Sequence, residues 1–129
     1  FAPIMMTKAF AKPLQRGKGA VVNVTSIAGS RVHDFAGSAY ATSKAALGAL
    51  TREMASDFGK LGIRVNAIAP GEIMTDILSP DSEKTILPQI PLGRFGTPDE
   101  VAETIFFLCS DAAQYLNGSE IHINGGQHV

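Results

Sequence analysis

The sequence predicts an α/β fold, a parallel sheet of about three strands with at least three helices packed on it. Short continuous apolar runs stand at Ala20–Thr25, Ile63–Ala69 and Ile121–Ile123. Such runs suit parallel strands covered on both faces. Stretches with helical spacing of apolar residues separate them. No linker long enough to divide the 129 residues is visible, so residues 1–129 read as one domain or part of one.

Composition narrows the function classes. Apolar residues make up 45% and charged residues 18%, an ordinary globular balance. A net charge of −1 gives no pull toward nucleic acid or an acidic membrane. The lone cysteine, Cys109, excludes an internal disulfide and fits a reducing, cytoplasmic compartment. No apolar run approaches a membrane span, and no signal peptide is visible.

Residues 1–15 read as a helix, apolar on most sides of its first turns and weakened near its end by Pro13. Met5 and Met6 read as core filler. Arg16-Gly17-Lys18-Gly19 is a turn. Asn23 interrupts the first strand and reads as a structural hydrogen bonder. Ile27–Ser38 is a Gly/Ala/Ser-rich loop in which His33 and Asp34 read as surface residues, a substrate contact by His33 being the less favoured alternative. Ser38–Phe58 is the longest helix, with Leu47, Leu50, Met54 and Phe58 as its core stripe and small residues keeping another face slim. Gly59 and Gly62 bracket its end.

The second strand ends abruptly at Pro70-Gly71. Residues 76–96 form a long proline-punctuated segment, as lids and binding loops do. Ile77, Leu78, Ile86 and Leu87 either present an apolar wall or pin this segment down. Thr97-Pro98-Asp99-Glu100 is a helix start: a cap, a proline at the first position, acids in the first turn. Val101, Ile105, Leu108 and Cys109 follow on one face, with Cys109 read as a buried small hydrophobe. Asn117-Gly118 turns into the third strand, where His122 alternates with two isoleucines. The three histidines show no metal-ligand spacing.

The chemistry concentrates between Val21 and Leu50. Tyr40 and Lys44, four apart, share one helix face. Ser26 stands where the first strand ends, the edge at which open α/β sheets bind ligands. Free tyrosine is a poor base at neutral pH, and a neighbouring cation favours its phenolate. A phenol, an ammonium and a hydroxyl gathered there can exchange a proton with a carbonyl or alcohol oxygen. Taken alone, a Tyr–Lys pair at this spacing is far more often an accident of a solvated helix face than a functional pair.

Four stretches resemble the short-chain dehydrogenase/reductase family: V-N-V-T-S-I-A-G, Y-A-T-S-K-A-A-L, I-R-V-N-A-I-A-P-G-E-I-M-T and G-S-E-I-H-I-N-G-G. They span nearly the whole chain. The resemblance implies a Rossmann-type, doubly wound fold and an oxidoreductase moving hydride between NAD or NADP and an alcohol or carbonyl substrate. It implies Tyr40 as catalytic acid/base, Lys44 as its modulator and ribose ligand, and Ser26 as the group orienting the substrate oxygen. Pro70, Gly71, Ile73 and Thr75 would wrap the nicotinamide, Ile73 through its backbone and Thr75 through its hydroxyl. Without the neighbouring motif, Thr75 reads by its residue type as a helix cap. The family's oligomer surfaces, the Tyr40 helix and the helix before it, imply a homo-oligomer, dimer or tetramer. Asn124 departs from the aspartate usual before the Gly-Gly pair.

No set of glycines forms G-x-G-x-x-G or a related phosphate-binding turn. The chain is therefore expected to be the carboxyl-terminal half of such a domain, with the family's catalytic asparagine and the residue reading the ribose 2′ position lying upstream. Alternatives are a non-catalytic folding or assembly module and a hydrolase using Ser26 with Lys44 as base. No G-x-S-x-G surrounds Ser26.

Overall fold

A computed structural model describes residues 2–75 and 84–129. Its elements run α1 (Ala2–Ala9), α2 (Ala11–Arg16), β1 (Ala20–Val24), α3 (Gly37–Gly59), β2 (Arg64–Pro70), α4 (Pro98–Cys109) and β3 (Glu120–Ile123). The three strands form one parallel sheet in the order β1-β2-β3. Ala20 registers with Arg64 and Val24 with Ile68, while Ala67 registers with Glu120 and Pro70 with Ile123. The expected α/β class is the observed one.

β2 is central, and its five residues from Val65 to Ala69 are all buried. Alternate residues serve two cores, as the pleat requires. On one face Val21 and Val65 join Met54, Ala55 and Phe58 of α3. On the other, Val22 and Ile68 join Val101, Ile105 and Leu108 of α4. The buried asparagine side chains of β1 and β2 are paired, as desolvation demands. Asn23 Nδ2 donates to Thr51 Oγ1 at 2.9 Å, the structural role expected of it. Asn66 takes the Ser119 N–H and donates to the Leu116 carbonyl, stitching β2 to the approach of β3.

Several expectations are corrected. The first helix is two helices, broken at Phe10. Pro13 has no N–H to give the Ala9 carbonyl, so one rung of the helical ladder is missing. Met5 and Met6 are not core filler; they are 65% and 60% exposed, because Ile4 and Leu14 supply the contact with the core. Cys109 is exposed rather than buried. At about 100° per residue it lies at the margin of the stripe centred on Val101, Ile105 and Leu108, on the last residue of α4. Leu47 and Leu50 are only half-buried, whereas Met54 and Phe58 are buried as expected.

The α4 start is as expected, with a reciprocal capping box between Thr97 and Glu100 and Pro98 at the first position. Ile86 is buried with Ile90 and Phe95, so it pins its segment down, while Leu87 is exposed. Ile77 and Leu78 lie outside the described residues. No helix among the described residues is long and apolar enough to cross a membrane.

Candidate active site

Ser26 stands two residues past the end of β1 and caps a short 3₁₀ turn, Ile27–Gly29. Its Oγ accepts the Ala28 N–H at 3.2 Å. With that lone pair engaged, the hydroxyl hydrogen remains for an oxygen in front of it. The turn then presses on α3. A Cβ on Gly29 would lie 2.9 Å from Ala45 N and 3.0 Å from the Lys44 carbonyl carbon, so only glycine allows this approach. Lys44 is held from the other side: its Nζ donates to the Val24 carbonyl at 2.8 Å. The same ammonium lies 5.5 Å from the centroid of the Tyr40 ring.

Ser26 and Tyr40 border one cavity of about 260 Å³ at the carboxyl ends of β1 and β2. Phe35, Gly71, His33 and Glu72 border it too. Tyr40 is 46% exposed, open to an arriving molecule. Lys44 joins the group through Val24 and the Tyr40 ring; Pro70, Ile73 and Thr75 do not line the cavity. A larger cavity of about 780 Å³ lies between α4 and the end of β3 and contains none of Ser26, Tyr40 or Lys44. Chemistry, not size, decides between them, and the hydroxyl and phenol able to exchange a proton border the smaller one.

The segment after β2 is fixed by close packing. A Cβ on Gly71 would sit 2.6 Å from Asn124 Cβ and 2.9 Å from Asn124 Cα. Ile73 forms a parallel bridge with Gly96. The bridge uses the Met74 N–H with the Gly96 carbonyl and the Gly96 N–H with the Glu72 carbonyl. The N–H and C=O of Ile73 itself take no part in it, and a primary carboxamide would match that donor–acceptor pair. Thr75 is exposed at a bend, and the residues after it are outside the described ones.

Two residues that sequence reasoning undervalued stand in the cavity wall. His33, expected on the surface, is mostly buried and pairs through Nε2 with Glu72 Oε1 at 2.6 Å, the side chains being 17% and 14% exposed. The partners are 39 residues apart, so no local spacing announces the pair. One signal was available: a carboxylate directly after the Pro-Gly that ends a strand stands at the ligand-binding edge of the sheet. Elsewhere, on α4, the Arg94 guanidinium and then the Thr97 backbone N–H hold the Glu100 carboxyl down at about 2.

Known proteins share this architecture. The chain is 66% identical over 128 residues to Protein FixR of Bradyrhizobium diazoefficiens, covering 99% of this chain and 46% of that protein. It is 62% identical to a solved oxidoreductase (short chain dehydrogenase/reductase) from Brucella ovis, with a TM-score of 0.75 over 95% of this chain and 50% of that one. A 3-oxoacyl-(acyl-carrier protein) reductase with bound NAD from Brucella melitensis is 29% identical, with a TM-score of 0.91 over 98% of this chain and 48% of that one. The chain thus spans about half the length of the relatives it matches. Residues 1–128 match the family model described as enoyl-(acyl carrier protein) reductase. With the parallel sheet, the motif order and these matches in agreement, the chain belongs to the short-chain dehydrogenase/reductase family.

Proposed function

We propose that this chain carries the proton-handling residues of an NAD(P)-dependent oxidoreductase acting on a small alcohol or carbonyl compound. The observation carrying this reading is that Ser26 and Tyr40 border one cavity while Lys44 is anchored beside them on Val24. When bound, the dinucleotide supplies or accepts the hydride. In the reducing direction Tyr40 gives its proton to the substrate oxygen as hydride reaches the adjacent carbon. Ser26 donates a hydrogen bond to that oxygen while one of its two lone pairs accepts the Ala28 N–H. Lys44 keeps a positive charge beside the phenolate left behind and retains two ammonium hydrogens for a ribose.

Pro70, Gly71, Ile73 and Thr75 would line the nicotinamide. The Ile73 N–H and C=O, which take no part in the bridge to Gly96, support this assignment; the NAD held by the Brucella melitensis reductase supports a nicotinamide cofactor. Exposed Met5, Met6 and Phe10 on and beside α1 support self-association into a homo-oligomer. The exposed free thiol of Cys109 suits a reducing, cytoplasmic setting. The hydrolase alternative is disfavoured because the Lys44 ammonium is bonded to Val24 rather than directed at Ser26.

The test is Tyr40→Phe in the complete protein. Turnover of an alcohol or ketone should fall about 10²–10⁴-fold, the contribution of a positioned acid/base. Dinucleotide affinity, read by fluorescence titration, should hold within a few-fold. Unchanged turnover ends the assignment.

A further inference from the structure

The wall of the Ser26–Tyr40 cavity carries a charge that the proton-transfer scheme does not use. Glu72 Oε1 meets His33 Nε2 at 2.6 Å, in the range of a charge-assisted hydrogen bond. The other ring nitrogen, Nδ1, accepts the Phe35 N–H at 3.4 Å. With Nδ1 accepting from the Phe35 N–H, the Nε2 hydrogen is the one donated to the Glu72 carboxylate. Both side chains are mostly withdrawn from water, which leaves that charge weakly screened.

The rest of the lining is neutral: Ser26, Tyr40, the apolar Ile27, Ala28, Phe35 and Ala36, and Gly71. No lysine or arginine among the described residues lines the cavity. A substrate anion entering it would therefore meet a carboxylate and no lining cation. A hydroxyl or ammonium group would find an acceptor better than water offers. The volume, about 260 Å³, lies just below the ~300–1,000 Å³ of drug-sized pockets and suits a small molecule.

We infer that His33 and Glu72 form an acidic specificity subsite that selects small ketones or alcohols bearing a second hydrogen-bond donor and excludes those bearing a carboxylate. The inference rests on the oxidoreductase reading above. Glu72 touches the donor of the substrate; His33 is a positioning residue that fixes the carboxylate.

Hydroxyacetone, acetone and pyruvate share a ketone and differ only in carrying a donor, nothing or an anion. The complete protein with its reduced dinucleotide should show kcat/KM for hydroxyacetone at least about 10-fold above acetone, with pyruvate below both. Glu72→Gln keeps the shape and removes the charge. It should shrink the hydroxyacetone-to-acetone ratio about 10-fold and raise the pyruvate-to-acetone ratio by a similar factor. Glu72→Asp, which keeps the charge, should retain exclusion of pyruvate. Ratios are read because damage to the fold lowers all three rates together. Equal rates for hydroxyacetone and acetone in the unmodified protein, ratios unmoved by Glu72→Gln, or turnover of none of the three overturn the inference. Acetone reduction that survives Tyr40→Phe overturns the oxidoreductase assignment instead.

Discussion

Lys44 Nζ donates to the carbonyl of Val24, the last residue of β1, across 2.8 Å and twenty positions of sequence. The bond ties the first third of α3 to the strand end from which Ser26 emerges. It also fixes the ammonium near the Tyr40 ring, 5.5 Å from its centroid. A side chain with four rotatable bonds would otherwise wander. Lys44→Met keeps the stem and removes both the donor and the charge. Its kcat at saturating dinucleotide is expected to drop at least about 100-fold, with little change in the thermal midpoint. Retained kcat would show that the charge has no part in proton transfer. Lys44→Arg should not restore it, because a planar fork cannot reproduce a compact ammonium at this site.

Gly71 sets the course of the chain after β2. A methyl group there would meet Asn124 Cβ at 2.6 Å and Asn124 Cα at 2.9 Å, and backbone does not yield cheaply. Gly71→Ala is expected to cost about 1–3 kcal/mol in urea unfolding, as overpacking does. The same displacement should weaken dinucleotide binding by way of Ile73. Normal binding in a destabilised variant would uncouple this turn from the cofactor.

Asn23 and Thr51 join β1 to α3 inside the core. Thr51→Val is nearly isosteric but leaves the Asn23 amide without its buried acceptor. Such an orphan costs about 1–3 kcal/mol. Chemical denaturation should record a loss of that size, and Asn23→Leu combined with Thr51→Val should lose less than the single change. A neutral single variant would place the Asn23 amide in contact with water.

The α4 cap makes a pH prediction. Glu100 is held down at about 2, below its usual 4.5, chiefly by the Arg94 side chain and then by the Thr97 backbone. A carboxyl whose pKa is lower in the folded state stabilises fully above about 4.5. It loses that contribution as pH falls toward about 2. The stability difference between the protein and Glu100→Gln should be constant near neutrality and close across that acid window. A difference that stays flat down to pH 2 would remove the charge from the account of the cap. Thr97→Ala, which deletes the other half of the box, should cost about 1 kcal/mol at neutral pH.

The sequence by itself determined what near neighbours decide. Thr97, Pro98 and Glu100 announce a helix start because capping is settled within one turn. The apolar run around Val65–Ala69 announces a buried central strand because only a strand covered on both faces tolerates it. Ser26, Tyr40 and Lys44 could be singled out because the motifs that flank them, and the order of those motifs, are local facts of the chain. Only the tertiary structure decided which apolar side chains find partners. Met5, Met6 and Cys109 are as hydrophobic as their buried neighbours, yet no surface of the described residues covers them. It alone joined Lys44 to Val24 and His33 to Glu72. Contacts between distant residues depend on how the strands order and the loops close, and that geometry is carried by the packing of the whole sheet rather than by any one stretch of chain.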